Sequence, residues 1–478
     1  MSIPRKLSIS YILPAFILLG MSGIAWWLFH NPVSGFSESL PGMDNRKKGK
    51  AVTTETIKIG EFFLAGKSIP EVPGTRWTHF RGADFDNINK ENIPLLEKFG
   101  KTGPRILWKI PLGEGHAAPA VYDGMIYLLD YDENTKSDAL RCLSLQSGEE
   151  LWRRSYKVHL KRNHGLSRTI PAVNDKYVLS LGPRCQVMCV ERLSGRLLWG
   201  LDVAREFNTE VPFWYTGQCP FIDNDTAVIA TGGKSLMIGI DCKSGKLAWQ
   251  TPNPRNWKMS HSSVMPMVLN GKKMYVYCAI GGLCGISASG TDKGKLLWEL
   301  SEFSPSVVAP SPLILDKGKI LMTAGYGAGS ALIQVTEAAG SFSAKVLQKF
   351  KPLEGLASEQ QTPVFSKGYI YAILPKDAGD MRNQFVCCKA GDCRKYTMSS
   401  GKTLRFGLGP YLMADGKFFI LNDDGELTIA KATPTDFKVL DKARIIDGQD
   451  SWGPLAITGG YLLMRDSKQM VCIDIKAR

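Results

Sequence analysis

Side chains that could bind a ligand or move a proton lie a few residues ahead of prolines that recur along the chain. Two are carboxylates, Glu359 and Asp450, which could act as general bases. The others carry imidazole, guanidinium, amide or indole groups, namely His116, His164, Arg168, Gln218, His261, Gln360 and Trp452. His164 and Arg168, four residues apart, could bind an anion together. If these side chains converge they form a ligand-binding channel, although each could instead satisfy backbone groups or hold water.

The prolines mark an internal repeat that would bring these side chains together. Successive spacings are 52, 49, 46, 46, 51, 47 and 44 residues, and the prolines are Pro119, Pro171, Pro220, Pro266, Pro312, Pro363, Pro410 and Pro454. This period is in the range of β-propeller blades. Inside each unit, apolar and polar residues alternate on either side of a turn, a pattern typical of β-hairpins. Eight repeats predict eight blades, with the residues ahead of each proline near the central channel.

Tryptophans recur at the end of the first four repeats, after the turns SGEELW, SGRLLW, SGKLAW and KGKLLW. They are Trp152, Trp199, Trp249 and Trp298. An aromatic ring at a fixed strand position predicts packing between neighbouring blades, where each indole can bury roughly 150–250 Å². Only 24 residues follow Pro454, so we expect the strand around Trp108 to complete the last blade. The sequence thus predicts an all-β, eight-bladed propeller of four-stranded antiparallel blades, closed by an N-terminal strand.

An apolar segment near the N-terminus predicts one transmembrane helix ahead of the propeller. Residues 7–29 contain no charged side chain, and these 23 residues are enough to cross a bilayer of roughly 30 Å. Positive residues precede the segment and two tryptophans lie near its far end, which favours a cytoplasmic N-terminus. We expect residues 1–30 to anchor the chain in the inner (cytoplasmic) membrane as a single pass, with a cleaved signal segment as the alternative. Residues 31–75 are then a flexible linker, and residues 76–478 are a propeller in the periplasm or outside the cell.

The charge and the cysteines exclude some classes of function. The net charge of +14 comes without a basic helix, a zinc-ligand spacing or an aromatic RNA-binding stripe, so no nucleic-acid partner is predicted. The eleven cysteines include no C-x-x-C pair, and no metal site is predicted from them. Five cysteines recur at one position of the repeat: Cys142, Cys189, Cys242, Cys388 and Cys472. That recurrence favours buried free thiols over disulfides, which remain the alternative in an exported chain.

Several motifs resemble the repeats named after pyrroloquinoline quinone (PQQ), from about Trp77 to the C-terminus. The turns that end in tryptophan and the recurring strand with a cysteine carry the resemblance. Three further segments are similar to bacterial PQQ-like repeat proteins: W-x-x-F-R-G at residues 77–82, I-L-W-K-I-P-L-G-x-G at 106–115 and N-H-G-x-S-R-T-x-P at 163–171. Such repeats are shared by quinoprotein alcohol dehydrogenases and by the non-catalytic outer-membrane assembly lipoprotein family.

The resemblance implies two possible functions. One is a non-catalytic binding or scaffold protein, whose partner is a protein or an envelope polymer. The alternative is an alcohol or sugar dehydrogenase that uses PQQ and calcium, with Glu359, Asp450, Arg168 and Trp452 as participants. A quinoprotein needs an acidic base and several oxygen ligands for the cation, and the carboxylates ahead of the prolines are too few for both roles. We therefore expect the non-catalytic function.

Overall fold

The computed structural model describes residues 9–30, 56–101 and 103–477, and the chain divides into two compact units, Met1–Ala51 and Val52–Arg478. In the first unit an α-helix spans Ile9–Phe29. Among the described residues, no helix is both long enough and apolar enough to span a membrane. The predicted transmembrane helix is therefore unconfirmed. Residues 1–8 and 31–55 lie outside the described residues, so the first part of the linker stays a prediction.

The described part of the second unit forms eight sheets, and the predicted all-β, eight-bladed propeller is confirmed. Each sheet has a core of four antiparallel strands, ordered below from the channel outward. Blades 1 to 4 comprise Ala120–Tyr122, Met125–Asp132, Ser137–Ser144 and Glu150–Lys157; Ala172–Val173, Tyr177–Leu181, Gln186–Glu191 and Leu197–Asp202; Phe221–Asp223, Thr226–Ala230, Ser235–Asp241 and Leu247–Pro252; Met265–Leu269, Lys272–Ala279, Gly282–Ser287 and Leu296–Leu300. Blades 5 to 8 comprise Leu313–Ile314, Lys319–Ala324, Gly329–Ala338 and Ser341–Phe350; Val364–Ser366, Tyr369–Ile373, Phe385–Lys389 and Asp392–Ser399; Tyr411–Ala414, Lys417–Leu421, Glu426–Lys431 and Val439–Arg444; Ala456–Thr458, Tyr461–Arg465, Gln469–Asp474 and Arg105–Pro111. Short helical turns at Val203–Glu206, Asp316–Gly318 and Gly379–Met381 lie between strands.

The two ends of the propeller meet in blade 8, as the sequence predicts. The strand Arg105–Pro111 pairs antiparallel with Gln469–Asp474, and Trp108 lies opposite Cys472. The N-terminal strand thereby supplies the outer strand that the last repeat lacks. Closure of this kind removes two sheet edges that would otherwise expose unpaired backbone groups.

Two blades carry more than the predicted four strands, because three short strands that precede residue 105 pair with them. Phe62–Ala65 pairs with the outer strand of blade 1, and Arg76–Trp77 pairs with its innermost strand. Ile88–Asn89 adds a parallel strand to blade 7. Residues 62–65, which lie within the linker predicted over residues 31–75, thus form an ordered strand whose backbone groups are satisfied by a sheet.

The blade tryptophans pack against glycines of the next blade. A Cβ atom built on Gly195 of blade 2 would lie 2.7 Å from the indole of Trp152 in blade 1, closer than side chains tolerate. The same relation recurs around half of the ring, in the pairs Trp108 with Gly148, Trp199 with Gly245 and Trp249 with Gly294. All four glycines have positive φ angles, which glycine adopts at little cost. The glycine of each turn thus contacts the indole of the preceding blade.

The second half of the ring is joined by other contacts. The indole of Trp298 in blade 4 donates to the sulfur of Met274 in its own blade, at 3.3 Å. Between blades 6 and 7, the ring of Phe418 lies 4.9 Å from Phe385 and 4.8 Å from Tyr371. These phenyl and phenol rings pack between blades 6 and 7, as the indoles pack between blades 1 to 4. Because the tryptophan is replaced by other aromatic residues, the repeat is harder to recognise there in the sequence.

All eleven cysteines are buried, and none of them forms a disulfide. Three of them, Cys142, Cys189 and Cys472, lie directly opposite a blade tryptophan on the neighbouring strand. A small apolar side chain at this position leaves room for the indole. Cys242 differs from the predicted pattern, because it follows the third strand of blade 3 and Gly239 lies opposite Trp249 instead.

Candidate functional site

One end of the central channel is closed by residues 77–91, which we call the plug. The plug begins where Trp77 pairs with Val121 of blade 1. It ends where the carboxylate of Glu91 accepts hydrogen bonds from the Thr458 hydroxyl at 2.6 Å and the Gly459 amide at 2.7 Å in blade 8. Both places adjoin turns between a first and a second strand, so the plug enters and leaves the channel on that side.

Between these points the plug contacts blades on different sides of the ring. The amide of Val173 in blade 2 donates to the carbonyl of Thr78 at 2.9 Å. The ring of Phe85 meets Phe221 of blade 3 edge-on at 5.3 Å. Further along, Ile88–Asn89 joins blade 7. The plug therefore crosses the channel axis and forms its floor.

Arg81 fixes the plug to blade 6. Its guanidinium donates to the carbonyls of Thr362 at 2.7 Å and Pro363 at 2.8 Å, and also to Phe85 and Asp86 within the plug. The side chain is buried, and burial lowers the pKa of Arg81 to about 10, so it stays protonated at neutral pH. A buried cation is tolerated here because four carbonyl oxygens accept its hydrogen bonds.

Above the plug lies a pocket of about 340 Å³ that opens on the opposite side of the propeller. Seven of the nine predicted channel residues line it: His116, His164, Arg168, His261, Glu359, Gln360 and Trp452. They converge because the loops that lead into the innermost strands all meet at the channel. Other lining residues were not predicted as channel residues from the sequence: Phe80, Arg81 and Asn87 of the plug, Trp214 and Tyr411 ahead of or within innermost strands, and Tyr326 and Lys376 after second strands.

Two pairs of aromatic rings form the walls of the pocket. Trp452 leans on His116, with ring centroids 5.1 Å apart. Its indole donates to the carboxylate of Asp423 at 2.9 Å, which fixes the ring orientation. Trp214 lies parallel to Tyr326, with centroids 6.1 Å apart. Apolar faces are thus presented to the pocket from blades on different sides of the ring.

Arg168 makes the pocket electropositive. Its Nη2 atom donates to the carbonyls of Asn163, at 2.9 Å, and His164, while its Nε atom is buried without a partner. Burial lowers the pKa of Arg168 to about 10, so the charge remains at neutral pH. Burial first, and then the charge of Arg168, lower the pKa of His116 to about 3 and that of His261 to about 4. Both imidazoles are therefore neutral, and the Nδ1 atom of His116 also lacks a partner.

Glu359 is the one carboxylate among the described residues that line the pocket. Its Oε1 atom lies 3.5 Å from the Nζ atom of Lys376, an exposed residue at the mouth. Burial raises the pKa of Glu359, and the lysine opposes the rise. The carboxylate of Glu359 therefore forms an ion pair with Lys376.

Two predicted residues lie away from the pocket. Gln218 is buried and bonded both ways to its own blade, donating to the carbonyl of Ala230 and accepting from its amide, each at 2.9 Å. It is a structural tie, the alternative left open in the sequence. Asp450 points to solvent from a turn with φ of 55°, and its carbonyl accepts from the amide of Trp452. Neither residue lines the pocket.

The residues present do not fit PQQ together with calcium. Calcium takes about six to eight oxygen ligands, and carboxylates usually supply several of them. The described residues contain no group of three or more histidine, cysteine or acidic side chains placed to hold a metal ion. In the pocket, Glu359 is already paired with Lys376.

Comparison with known proteins agrees with the repeat architecture. A family model described as outer membrane protein assembly factor BamB matches residues 136–377, half of the chain. No curated protein matches the sequence. The structure of BamB from Moraxella catarrhalis is similar at 12% identity and a TM-score of 0.51, over 77% of this chain and 99% of that one. A quinohemoprotein alcohol dehydrogenase from Pseudomonas putida HK5 is similar at 11% identity and a TM-score of 0.53, over 85% of this chain and 81% of that one.

At these identities the solved structures show the fold alone, and enzymes and non-enzymes share it. The family model is evidence from the sequence itself, because it matches half of the chain and spans the repeats that contain the indole–glycine contacts of blades 1 to 4. This chain therefore belongs to the family of the outer membrane protein assembly factor BamB, built from PQQ-like repeats.

Proposed function

We propose that this chain is a membrane-tethered β-propeller, displayed outside the cytoplasm, that binds a partner without catalysing a reaction. The observation that carries the proposal is the pocket above the plug, in which aromatic walls and polar groups converge. Its one carboxylate among the described residues, Glu359, is paired with Lys376. The pKa values of His116 and His261 lie far below neutrality, which makes both imidazoles poor bases. Binding through Arg168 and the aromatic faces is what this set of groups can do.

The partner is a protein or an envelope polymer, part of which enters the pocket. The family's description as an outer membrane protein assembly factor favours a partner in a bacterial envelope. Residues 7–29, free of charge, would tether the propeller to the inner membrane as a single pass with the N-terminus in the cytoplasm. Comparing how much of the full-length chain and of a chain without residues 7–29 sediments with membranes tests the tether.

Site-specific photo-crosslinking in cells tests the binding role. A photoreactive residue replaces Phe213, which lies beside the pocket wall residue Trp214, or Val268, which lies in blade 4 near the opposite end of the channel. Both side chains are 63% exposed, so they are matched for access to solvent. We expect crosslinks to envelope components from position 213 and few from position 268. Equal crosslinking from both positions would contradict a partner at the pocket.

Titration of the full-length chain with PQQ and calcium tests the alternative. After incubation, an artificial electron acceptor and a panel of alcohols and sugars are added, and dye reduction is followed. We expect no calcium-dependent binding of the quinone and no dye reduction, because the described oxygen donors are too few to hold the cation. Tight calcium-dependent binding with dye reduction would replace the proposed function with a dehydrogenase.

A further inference from the structure

The shape of the pocket limits what can enter it. The plug closes the channel, so a polymer cannot thread through the propeller and can insert only an end. The volume of about 340 Å³ is at the lower end of the roughly 300–1,000 Å³ that small-molecule sites occupy. The pocket therefore suits a ligand of one or two rings, or the terminal unit of a chain.

The charge of the pocket selects an anion. Three cations face it, but the donors of Arg81 are taken by four backbone carbonyls and Lys376 is paired with Glu359. Arg168 differs, because no ion pair with it occurs among the described residues, and its hydrogen bonds there all come from Nη2, to the carbonyls of Asn163, His164 and Gly165. The planar fork of a guanidinium matches a carboxylate, and the resulting hydrogen bonds are among the strongest in proteins.

The distribution of polar groups favours a ring with hydroxyls on its rim. Hydrogen-bonding groups come from the loops ahead of blades 1, 2, 4 and 6, through His116, Arg168, His261 and Gln360, and from Asn87 on the floor. They surround the pocket instead of gathering at one side. A saccharide ring carries hydroxyls all round its edge and C–H groups on its faces.

The faces of the walls fit the same ligand. Trp452 and Trp214 present indole surfaces from the loops ahead of blades 8 and 3. The face of an aromatic ring carries partial negative charge, which attracts polarised C–H groups. We infer that the pocket binds the carboxylated terminal unit of a saccharide, with Arg168 bound to the carboxylate; this inference rests on the binding role proposed above.

Calorimetric titration of the full-length chain in detergent micelles tests the inference with glucuronate, glucose and quinoline-2-carboxylate as probes. We expect glucuronate to bind at least tenfold more tightly than glucose, the size of one charge-assisted contact. Arg168→Gln should remove this preference, and Arg168→Lys should retain part of it because the charge is kept. Arg162→Gln is the matched control in the same loop: Arg162 is exposed, pairs with Glu114 at 2.7 Å, and its loss should leave the preference unchanged.

Unbranched glucuronate oligomers of three and ten units test whether only a chain end enters. Insertion of an end predicts equal affinity per chain for both lengths, whereas a site for internal units predicts tighter binding of the longer oligomer and would refute the terminal-unit part. Equal affinity for glucose and glucuronate, or a preference unchanged in Arg168→Gln, would overturn the role of Arg168. Binding of quinoline-2-carboxylate without either sugar would overturn the saccharide but leave the binding role standing. If the chain binds PQQ with calcium and reduces the dye but binds none of the three probes, both the saccharide inference and the proposed binding role would be overturned.

Discussion

Replacing Gly195 with alanine should destabilise the contact between blades 1 and 2. Gly195 has a φ of 64°, and a Cβ atom there would lie 2.7 Å from Cδ2 and 2.8 Å from Cε3 of Trp152. Trp152 is 3% exposed and paired opposite Cys142, so its ring has little freedom to move away. The substitution therefore combines backbone strain with overpacking between blades.

Gly340 provides a matched control for the backbone strain. It lies in the corresponding turn of blade 5, between the third and fourth strands, with a φ of 78° and no atom within 4 Å of the point where a methyl group would be added. An alanine in this left-handed conformation costs about 1–2 kcal/mol at either position. Overpacking against a buried ring adds about 1–3 kcal/mol at Gly195 alone. We expect a loss of about 2–5 kcal/mol for Gly195→Ala and about 1–2 kcal/mol for Gly340→Ala.

Urea unfolding followed by tryptophan fluorescence measures both variants beside the unsubstituted chain. The difference between the two alanine variants reports the packing of the indole, because the backbone term is common to both. If Gly195→Ala and Gly340→Ala lower the free energy of unfolding by the same amount, the contact between the indole and the glycine does not stabilise the junction between the blades.

Three further predictions concern the site and its surroundings. Burial raises the pKa of Asp138 to about 7. Between about pH 4 and 7 the folded chain therefore holds a proton that the unfolded chain has released, so the free energy of unfolding should fall as the pH rises, by up to about 1.4 kcal/mol per pH unit. Asp138→Asn should remove that part of the slope, which urea titrations at about pH 5 and about pH 8 measure. An unchanged slope in the variant would contradict the assignment. Arg81→Met leaves the carbonyls of Thr362 and Pro363 unsatisfied and should cost about 3 kcal/mol; hydrogen exchange of residues 77–91 should become faster, and exchange at the original rate would mean that the plug is held by other contacts. All eleven thiols should resist alkylation in the folded chain and react in urea without reductant, and fewer than eleven reacting in urea would reveal disulfides.

Much of the site could be located from the sequence because the repeat fixes where each loop goes. His116, Arg168 and His261 precede repeat prolines, and every innermost strand begins at the channel, so their positions follow from the period. Gln218 shares that sequence position but its amide turns back to its own blade, bonding both ways to Ala230. Which way a side chain turns within a loop depends on neighbouring backbone groups, and these are not visible in a repeat.

The missed residues lie in segments without a periodic pattern. Tyr326 and Lys376 follow second strands of blades 5 and 6, where the turns differ in length and composition. Trp214 lies in an irregular loop between blades 2 and 3. Large aromatic and charged side chains in loops beside a predicted channel are a signal that could have found them, although many such residues in loops face only solvent.

The number of blades, the closing strand and the packing of indoles between the first blades could be predicted from the sequence, because these depend on local periodicity and on spacing along the chain. Only the tertiary structure decided that residues 77–91 form the floor of the channel. The segment W-x-x-F-R-G was visible as a motif, but Arg81 finds its acceptors at Thr362 and Pro363, which are 281 and 282 residues away in sequence. Contacts across a closed ring arise from the curvature of the whole ring, which no local pattern encodes.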